Sequence, residues 1–262
     1  MGKRILITGG TSGIGLALAK YYLRENEDLT DKNFVGVTGR DLSKISDLIK
    51  ENTGNPHFIA YSVDVTDCEA MEKVTNDFSH VCEGLDILIA NAGRSVGAKS
   101  VSPSFSIGLD IAKVNYLGVL HSFAPAAKYM LANGGGQLVA ISSVAGFIGL
   151  PGASFYSASK AAVSILCEGL ALDYKQHDIS VTCICPGFID TPLTEQNDHK
   201  MPFLMPAELA AKKMAKAISR RKRLYIFPWQ MKFVITFLRV LPRSCYHFLM
   251  GLKLFDYRQR KK

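Results

Sequence analysis

Thr8-Gly9-Gly10-Thr11-Ser12-Gly13-Ile14-Gly15 decides how the rest of this chain is read. It follows a short apolar run, Arg4-Ile5-Leu6-Ile7, and opens an apolar-periodic stretch from Ile14 to Leu23. Strand, glycine turn and helix in that order make an anion site. Unpaired backbone N–H groups and the positive end of the helix dipole converge beyond the turn. Gly9 suits the tight turn, Gly13 lets a pyrophosphate approach the backbone, and Gly15 lets the helix pack closely. The spacing is G-x-x-x-G-x-G, not the commoner G-x-G-x-x-G. A glycine turn with no ligand is the plainer alternative; the strand before it and the helix after it argue against that.

Working outward, strand and helix signals alternate. Phe34–Val37 reads as a strand and Leu42–Ile49 as its helix. His57–Tyr61 is a third strand, and Thr66-Asp67 can cap a helix running to about Val81. Leu85–Ile89 is a fourth strand, ending at Asn91-Ala92-Gly93. Leu109–Leu131 is a long helix stopped by three glycines, and Gln137–Ser142 a fifth strand. Ser154–Tyr174 is another long helix, Ile179–Cys185 a sixth strand stopped by Pro186-Gly187, and Leu224–Phe227 a seventh. Apolar strands separated by helices predict an α/β fold: a Rossmann-like, doubly wound parallel sheet of about seven strands with helices on both faces. Ligands then bind beyond the carboxyl ends of the strands.

A chain of 262 residues suits one large α/β domain. We take residues 1–227 as the dinucleotide-binding and catalytic domain, and 228–262 as a basic amphipathic helical extension of it. Cys183 and Cys185 lie two apart in an apolar run, which puts both on one side of a strand as core rather than as a metal pair. No metal is expected. No signal peptide is read at the N-terminus, so reduced thiols and a cytoplasmic location are expected.

The net charge of +8 is uneven. Lys212–Lys262 holds 15 Lys and Arg against one acid, Asp256, so the first 211 residues are net acidic. Such a tail suits an anionic membrane, nucleic acid or plain solvent; for the protein as a whole no nucleic-acid partner is expected. Trp229, Phe233, Phe237 and Val240 fall at helical spacing with Lys232 and Arg239 elsewhere around the helix, and Arg243–Phe255 repeats the theme. No apolar run approaches the roughly 18 residues a membrane span needs. The tail can wall the substrate pocket, dock on a neighbouring subunit, or contact membrane peripherally.

Tyr156 and Lys160 are four apart on one helix and share a face. A tyrosine titrates near ~10, so bringing it to neutral pH takes about 4 kcal/mol of field, which an ammonium and an oxidised nicotinamide ring together can supply. Ser143 closes the fifth strand and points into the crevice. Asn115 sits inside the long helix, where an amide is awkward unless it has a task or a local backbone bond.

Together these residues resemble the short-chain dehydrogenase/reductase family over about residues 3–192. The resemblance rests on Thr8–Gly15, Asn91–Gly93, the set Asn115, Ser143, Tyr156 and Lys160, and Pro186-Gly187. It implies that Tyr156 moves the proton at the substrate oxygen while Lys160 lowers its pKa and bonds the nicotinamide ribose. Ser143 would bond the substrate oxygen, and Asn115 would hold a water on the proton relay. Asp64 would bond adenine, and Thr191 the nicotinamide carboxamide. The cofactor-lining set it implies is Gly9, Thr11, Ser12, Gly13, Ile14, Gly15, Arg40, Asp64, Val65, Asn91, Ala92, Gly93, Tyr156, Lys160, Pro186, Gly187, Ile189 and Thr191.

Cofactor choice is read after the second strand, at Thr38-Gly39-Arg40. An NAD site carries a carboxylate there; here Gly39 takes that place and Arg40 can pair with a 2′-phosphate. Thr11, Ser12 and Thr38 can add hydroxyls. The expectation is NADP, with Arg40 beginning a solvated helix, neutralised by Asp41, as the alternative. Thr194–Met205 is expected to be the mobile loop over the substrate. The apolar end is loosely similar to that of family members that reduce lipid ketones, including 3-ketosphinganine reductases. The expected activity is reduction of a hydrophobic aldehyde or ketone. Oxidation of a lipid or steroid hydroxyl is the runner-up, and a dinucleotide-binding sensor without turnover is the reading from a different class. A homo-oligomer is expected from the family.

Overall fold

The computed structural model describes residues 2–26, 30–95, 104–195 and 201–251. Its centre is a seven-stranded parallel sheet in the order β3-β2-β1-β4-β5-β6-β9. The strands are β1 (Arg4–Thr8), β2 (Phe34–Gly39), β3 (Phe58–Ser62), β4 (Ile87–Ala90), β5 (Gly136–Ile141), β6 (Ile179–Pro186) and β9 (Leu224–Phe227). A two-residue ladder, β7 (Ile189–Asp190) with β8 (Met205–Pro206), sits apart from the sheet. The helices are α1 (Gly13–Glu25), α2 (Ser46–Glu51), α3 (Cys68–Val81), α4 (Phe105–Ala112), α5 (Gly118–Ala132), α6 (Ser154–Asp173), α7 (Ala207–Ser219), α8 (Trp229–Val240) and α9 (Arg243–Gly251).

Successive side chains of a strand point to opposite faces, and each face here has its own core. Ile5, Ile7, Val35, Val37, Ile89, Val139 and Ile184 meet α1 and α7 through Leu18, Tyr22, Met214 and Ile218. Leu6, Leu88, Leu138, Ala140, Val181, Cys183 and Cys185 meet α3, α5 and α6 through Phe78, Phe123, Met130 and Val163. Both faces being covered is why the strands read as unbroken apolar runs. The thiols of Cys183 and Cys185 share the second face, 3.7 Å apart. On β2, Gly36 leaves room for the Phe78 ring: a Cβ there would come within 2.6 Å of it.

Three elements differ from the sequence reading. The long helix begins earlier, at Phe105, and widens into one π-helical turn at Lys113–Leu117 before α5. Leu42–Ile45 is a 3₁₀ turn capped by Asp41, so α2 starts only at Ser46. α7 had no sequence expectation, because its buried side is built largely of alanines, Ala210, Ala211, Ala215 and Ala217, which give little apolar contrast. The expected N-cap of α3 is present: the Asp67 carboxylate accepts from the Ala70 N–H at 3.0 Å. Residues 252–255 of the expected last helix and 196–200 of the expected substrate loop lie outside the described residues.

α8 and α9 pack on the carboxyl end of the sheet. Met231, Ile235 and Leu238 from α8, with Tyr246 and Met250 from α9, form a small core with Val144 and Ile148, which follow β5. The Tyr246 hydroxyl donates to the Gly149 carbonyl.

Candidate active site

The strand order turns back beside β1, and a cleft of about 760 Å³ opens there beyond the carboxyl ends of the strands. Its wall carries Gly9, Thr11, Ser12, Gly13, Ile14, Arg40, Asp64, Val65, Asn91, Ala92, Gly93, Ser143, Tyr156, Lys160, Pro186, Gly187, Ile189 and Thr191. Two of the expected residues do not reach the wall. Gly15 lies beneath the turn, where a Cβ would strike the Gly9 carbonyl and the Asn91 amide. Asn115 is fully buried behind the cleft.

The turn after β1 is held in a conformation that only glycine takes easily, with φ of +63° at Gly9 and +52° at Gly13. A clamp from β4 fixes it. The Asn91 amide donates to the Thr8 and Gly9 carbonyls at 3.0 and 3.1 Å, and Thr8 Oγ1 accepts from the Asn91 and Ala92 N–H groups at 3.1 and 3.2 Å. Asn91 therefore lines the cleft while its amide braces the turn. Ser12 begins α1 without a side-chain capping bond.

At the opposite end stand Ser143, Tyr156 and Lys160. Burial pushes the Tyr156 phenol above its ordinary value, and the neighbouring Ser143 hydroxyl opposes this only in part. Burial also lowers the Lys160 ammonium from 10.5 to about 8. Lys160 Nζ donates to the Ile141 carbonyl at 2.8 Å and lies 5.8 Å from the centre of the Tyr156 ring. Thus in the protein alone desolvation dominates at Tyr156. The expected lowering by Lys160 does not prevail, because the ammonium is itself desolvated and turned onto a backbone carbonyl.

The π-helical turn explains the amide at 115. Asn115 Oδ1 accepts from the Arg94 N–H at 2.7 Å, and Nδ2 donates to the Arg94 carbonyl and to Ser159 Oγ, both at 3.0 Å. Both amide protons are occupied, so the side chain ties the exit of β4 to α6. A widened helical turn of this kind is a common device for aiming a side chain at a site.

At the end beyond β2 and β3, Arg40 faces Asp64, not Asp41: Arg40 Nη1 is 3.8 Å from Asp64 Oδ2, with the Arg40 side chain 74% exposed. The Asp41 carboxylate is turned onto the N–H and hydroxyl of Ser43. Burial alone would raise the Asp64 carboxyl. Bonds from the N–H and hydroxyl of Thr66, at 2.9 and 2.8 Å, and the charge of Arg40 instead hold it below the usual carboxylate range. Lys44 also lines this end and was not expected. Its spacing of four from Arg40 across the capped turn was the available signal.

The residues suit a dinucleotide on structural grounds. Thr38 Oγ1 is buried on the wall with no hydrogen-bond partner among the described residues. Gly13 leaves a cradle that a Cβ would narrow against Thr191, at 3.3 Å. Two cations, Arg40 and Lys44, line the same end of the cleft.

Fold and cleft together define a dinucleotide-binding α/β oxidoreductase. Residues 3–202 match the family model for short chain dehydrogenases, and the chain belongs to the short-chain dehydrogenase/reductase family. It is 32% identical over 245 residues to an uncharacterised oxidoreductase of Myxococcus xanthus, covering 93% of this chain and 94% of that protein. Two solved structures share the fold with TM-scores of 0.80. One is a short chain dehydrogenase from Burkholderia cenocepacia in complex with NADP, 20% identical, covering 96% of this chain and 98% of that one. The other is a short chain dehydrogenase/reductase from Burkholderia phymatum in complex with NAD, 19% identical, covering 100% and 98%.

Proposed function

We propose that this oxidoreductase uses NADPH to reduce a hydrophobic aldehyde or ketone. One observation carries the reading: Ser143, Tyr156 and Lys160 stand together at the open end of a cleft whose other end presents Arg40 and Lys44. The nicotinamide supplies or accepts hydride when bound. Tyr156, held protonated by burial, donates its phenolic proton to the developing alkoxide. The Ser143 hydroxyl donates to the same oxygen and stabilises charge as it forms. Lys160 restores the balance by favouring the phenolate once Tyr156 has given up its proton. Asn115 acts through others: by fixing Arg94 and Ser159 it keeps the exit of β4 in register with α6. Arg40 and Lys44 bind a 2′-phosphate, for which charge-assisted bonds favour NADPH over NADH.

The apolar surroundings of the far end, including Leu193 and the α8 face behind Gly187, support a greasy substrate. The free thiols of the chain support a reducing compartment such as the cytoplasm. Exposed apolar side chains on α4 and α6, among them Phe105, Leu109, Ile165 and Leu172, support a homo-oligomer.

NADPH consumption over a panel of aldehydes and ketones of increasing chain length tests the reading. kcat/KM should climb with chain length, and NADPH should outperform NADH by at least about tenfold. Tight NADPH binding with no turnover on any carbonyl or alcohol would replace the enzyme with a sensor. Turnover confined to alcohols with NADP would reverse the working direction.

A further inference from the structure

α8 is apolar on two opposite sides. Its inner side, Met231, Ile235 and Leu238, is buried on the segment that follows Ser143. Its outer side carries Trp229, Phe233, Phe237 and Val240, which fall at positions i, i+4, i+8 and i+11 and form one stripe. These side chains are 74%, 72%, 56% and 80% exposed. Phe248 of α9, 72% exposed, adds to the apolar surface. A soluble surface rarely leaves such a row of large rings bare without a partner for it.

Charge says what the partner is. Lys232 and Arg239 lie seven apart along one flank of the stripe, both exposed, and Arg243 begins the next helix. The Arg239 guanidinium also caps the Phe147 ring at 5.4 Å, which anchors that flank to the body of the protein. From Leu209 to Gly251 the sequence holds no Asp or Glu at all. Aromatic rings beside cations, with acids excluded, match the boundary between acyl chains and anionic headgroups. No helix among the described residues is long and apolar enough to cross a membrane, so the geometry is that of a helix lying in the surface.

We infer that α8 seats the enzyme on an anionic lipid surface, the outer stripe inserted and Lys232, Arg239 and Arg243 on the headgroups. The inner side of the same helix abuts the substrate end of the cleft: a Cβ on Gly187 would come within 3.0 Å of Met231 and 3.1 Å of Pro228. A lipid held at the outer stripe is therefore about one helix diameter, ~10 Å, from the substrate end. Resting on the reduction proposed above, this names the substrate class as a carbonyl carried in a membrane lipid.

The test uses the full chain and vesicles of phosphatidylcholine with and without phosphatidylglycerol. Trp229 is the only tryptophan, so its emission reports burial of the stripe directly. Expected are a blue shift and co-sedimentation with the anionic vesicles, both weakening as salt is raised. Phe233→Ser with Phe237→Ser should weaken binding by at least roughly tenfold. Lys232→Gln with Arg239→Gln should do so by roughly tenfold. Both variants should keep NADPH-dependent turnover of a short water-soluble aldehyde. Unshifted Trp229 emission, or aromatic variants that sediment like wild type, overturns the proposal. So does a stripe variant that halves the mass in sedimentation velocity, since the stripe would then be a subunit interface. Vesicle binding is read without turnover: a bound but inactive enzyme sinks the reductase reading alone, and an active but unbound one sinks the lipid surface alone.

Discussion

The two ends of the cleft are built from different material. The end beside β1 is mostly backbone: the turn at Gly9 and Gly13, the Gly15 contact beneath it, and the Asn91 clamp that joins β4 to β1. The end beside β5 and β6 is mostly side chain: Ser143, Tyr156, Lys160 and the helices α8 and α9 that close over Val144 and Ile148. A backbone cradle admits almost no substitution, because a single added methyl meets a carbonyl that cannot move. A wall of side chains can be rebuilt residue by residue around new substrates. Conserving a cofactor while varying a substrate calls for that division.

Tyr156→Phe separates the two ends most strongly. It should lower the rate of carbonyl reduction by about 10²- to 10⁴-fold while leaving the NADPH dissociation constant within about twofold. Loss of cofactor binding in parallel would mean the two ends are not separable.

Lys160 comes next. Its folded pKa, about 8, lies below the ordinary 10.5, so burial disfavours the charged form and the fold carries a penalty whenever the group is protonated. That penalty is full below about pH 8 and is relieved as pH rises toward 10.5. In urea unfolding of the cofactor-free protein, wild type should therefore gain on Lys160→Met by about 3 kcal/mol across that window. A difference that is flat with pH, or falls, contradicts the burial of the ammonium.

At the backbone end, Gly15→Ala forces the Gly9 carbonyl or the Asn91 amide to move. A loss of about 1 to 3 kcal/mol of stability is expected, with weaker NADPH binding by calorimetry and kcat at saturating cofactor nearly unchanged. Arg40→Ala is the smallest effect: roughly tenfold weaker NADPH binding, with NADH binding unaltered. Equal losses for both cofactors would assign Arg40 to the adenine or to the fold.

Much of this was legible in the chain. Periodicity located the seven sheet strands, since buried parallel strands need continuous apolar runs. The glycine turn and the Tyr156–Lys160 spacing located both ends of the cleft. Other features were not legible. Asp64 rather than Asp41 facing Arg40 depends on how the capped turn after β2 aims its side chains. The alanine-rich α7 gave no contrast between its faces, and spacing alone left open whether the stripe of α8 packs inward; the fold buries Met231, Ile235 and Leu238 instead.

By itself the sequence determined local matters: which segments are strands, where glycine must stand, and which residues share a helix face, all set by periods of two and 3.6 residues. Tertiary structure decided what depends on burial and on partners distant in the chain. The phenol of Tyr156 is raised and the amine of Lys160 lowered only because packing removes water from both. Asn115 becomes a brace only because Arg94 and Ser159 are brought to it. Desolvation and long-range pairing are properties of the closed fold, and no spacing along the chain encodes them.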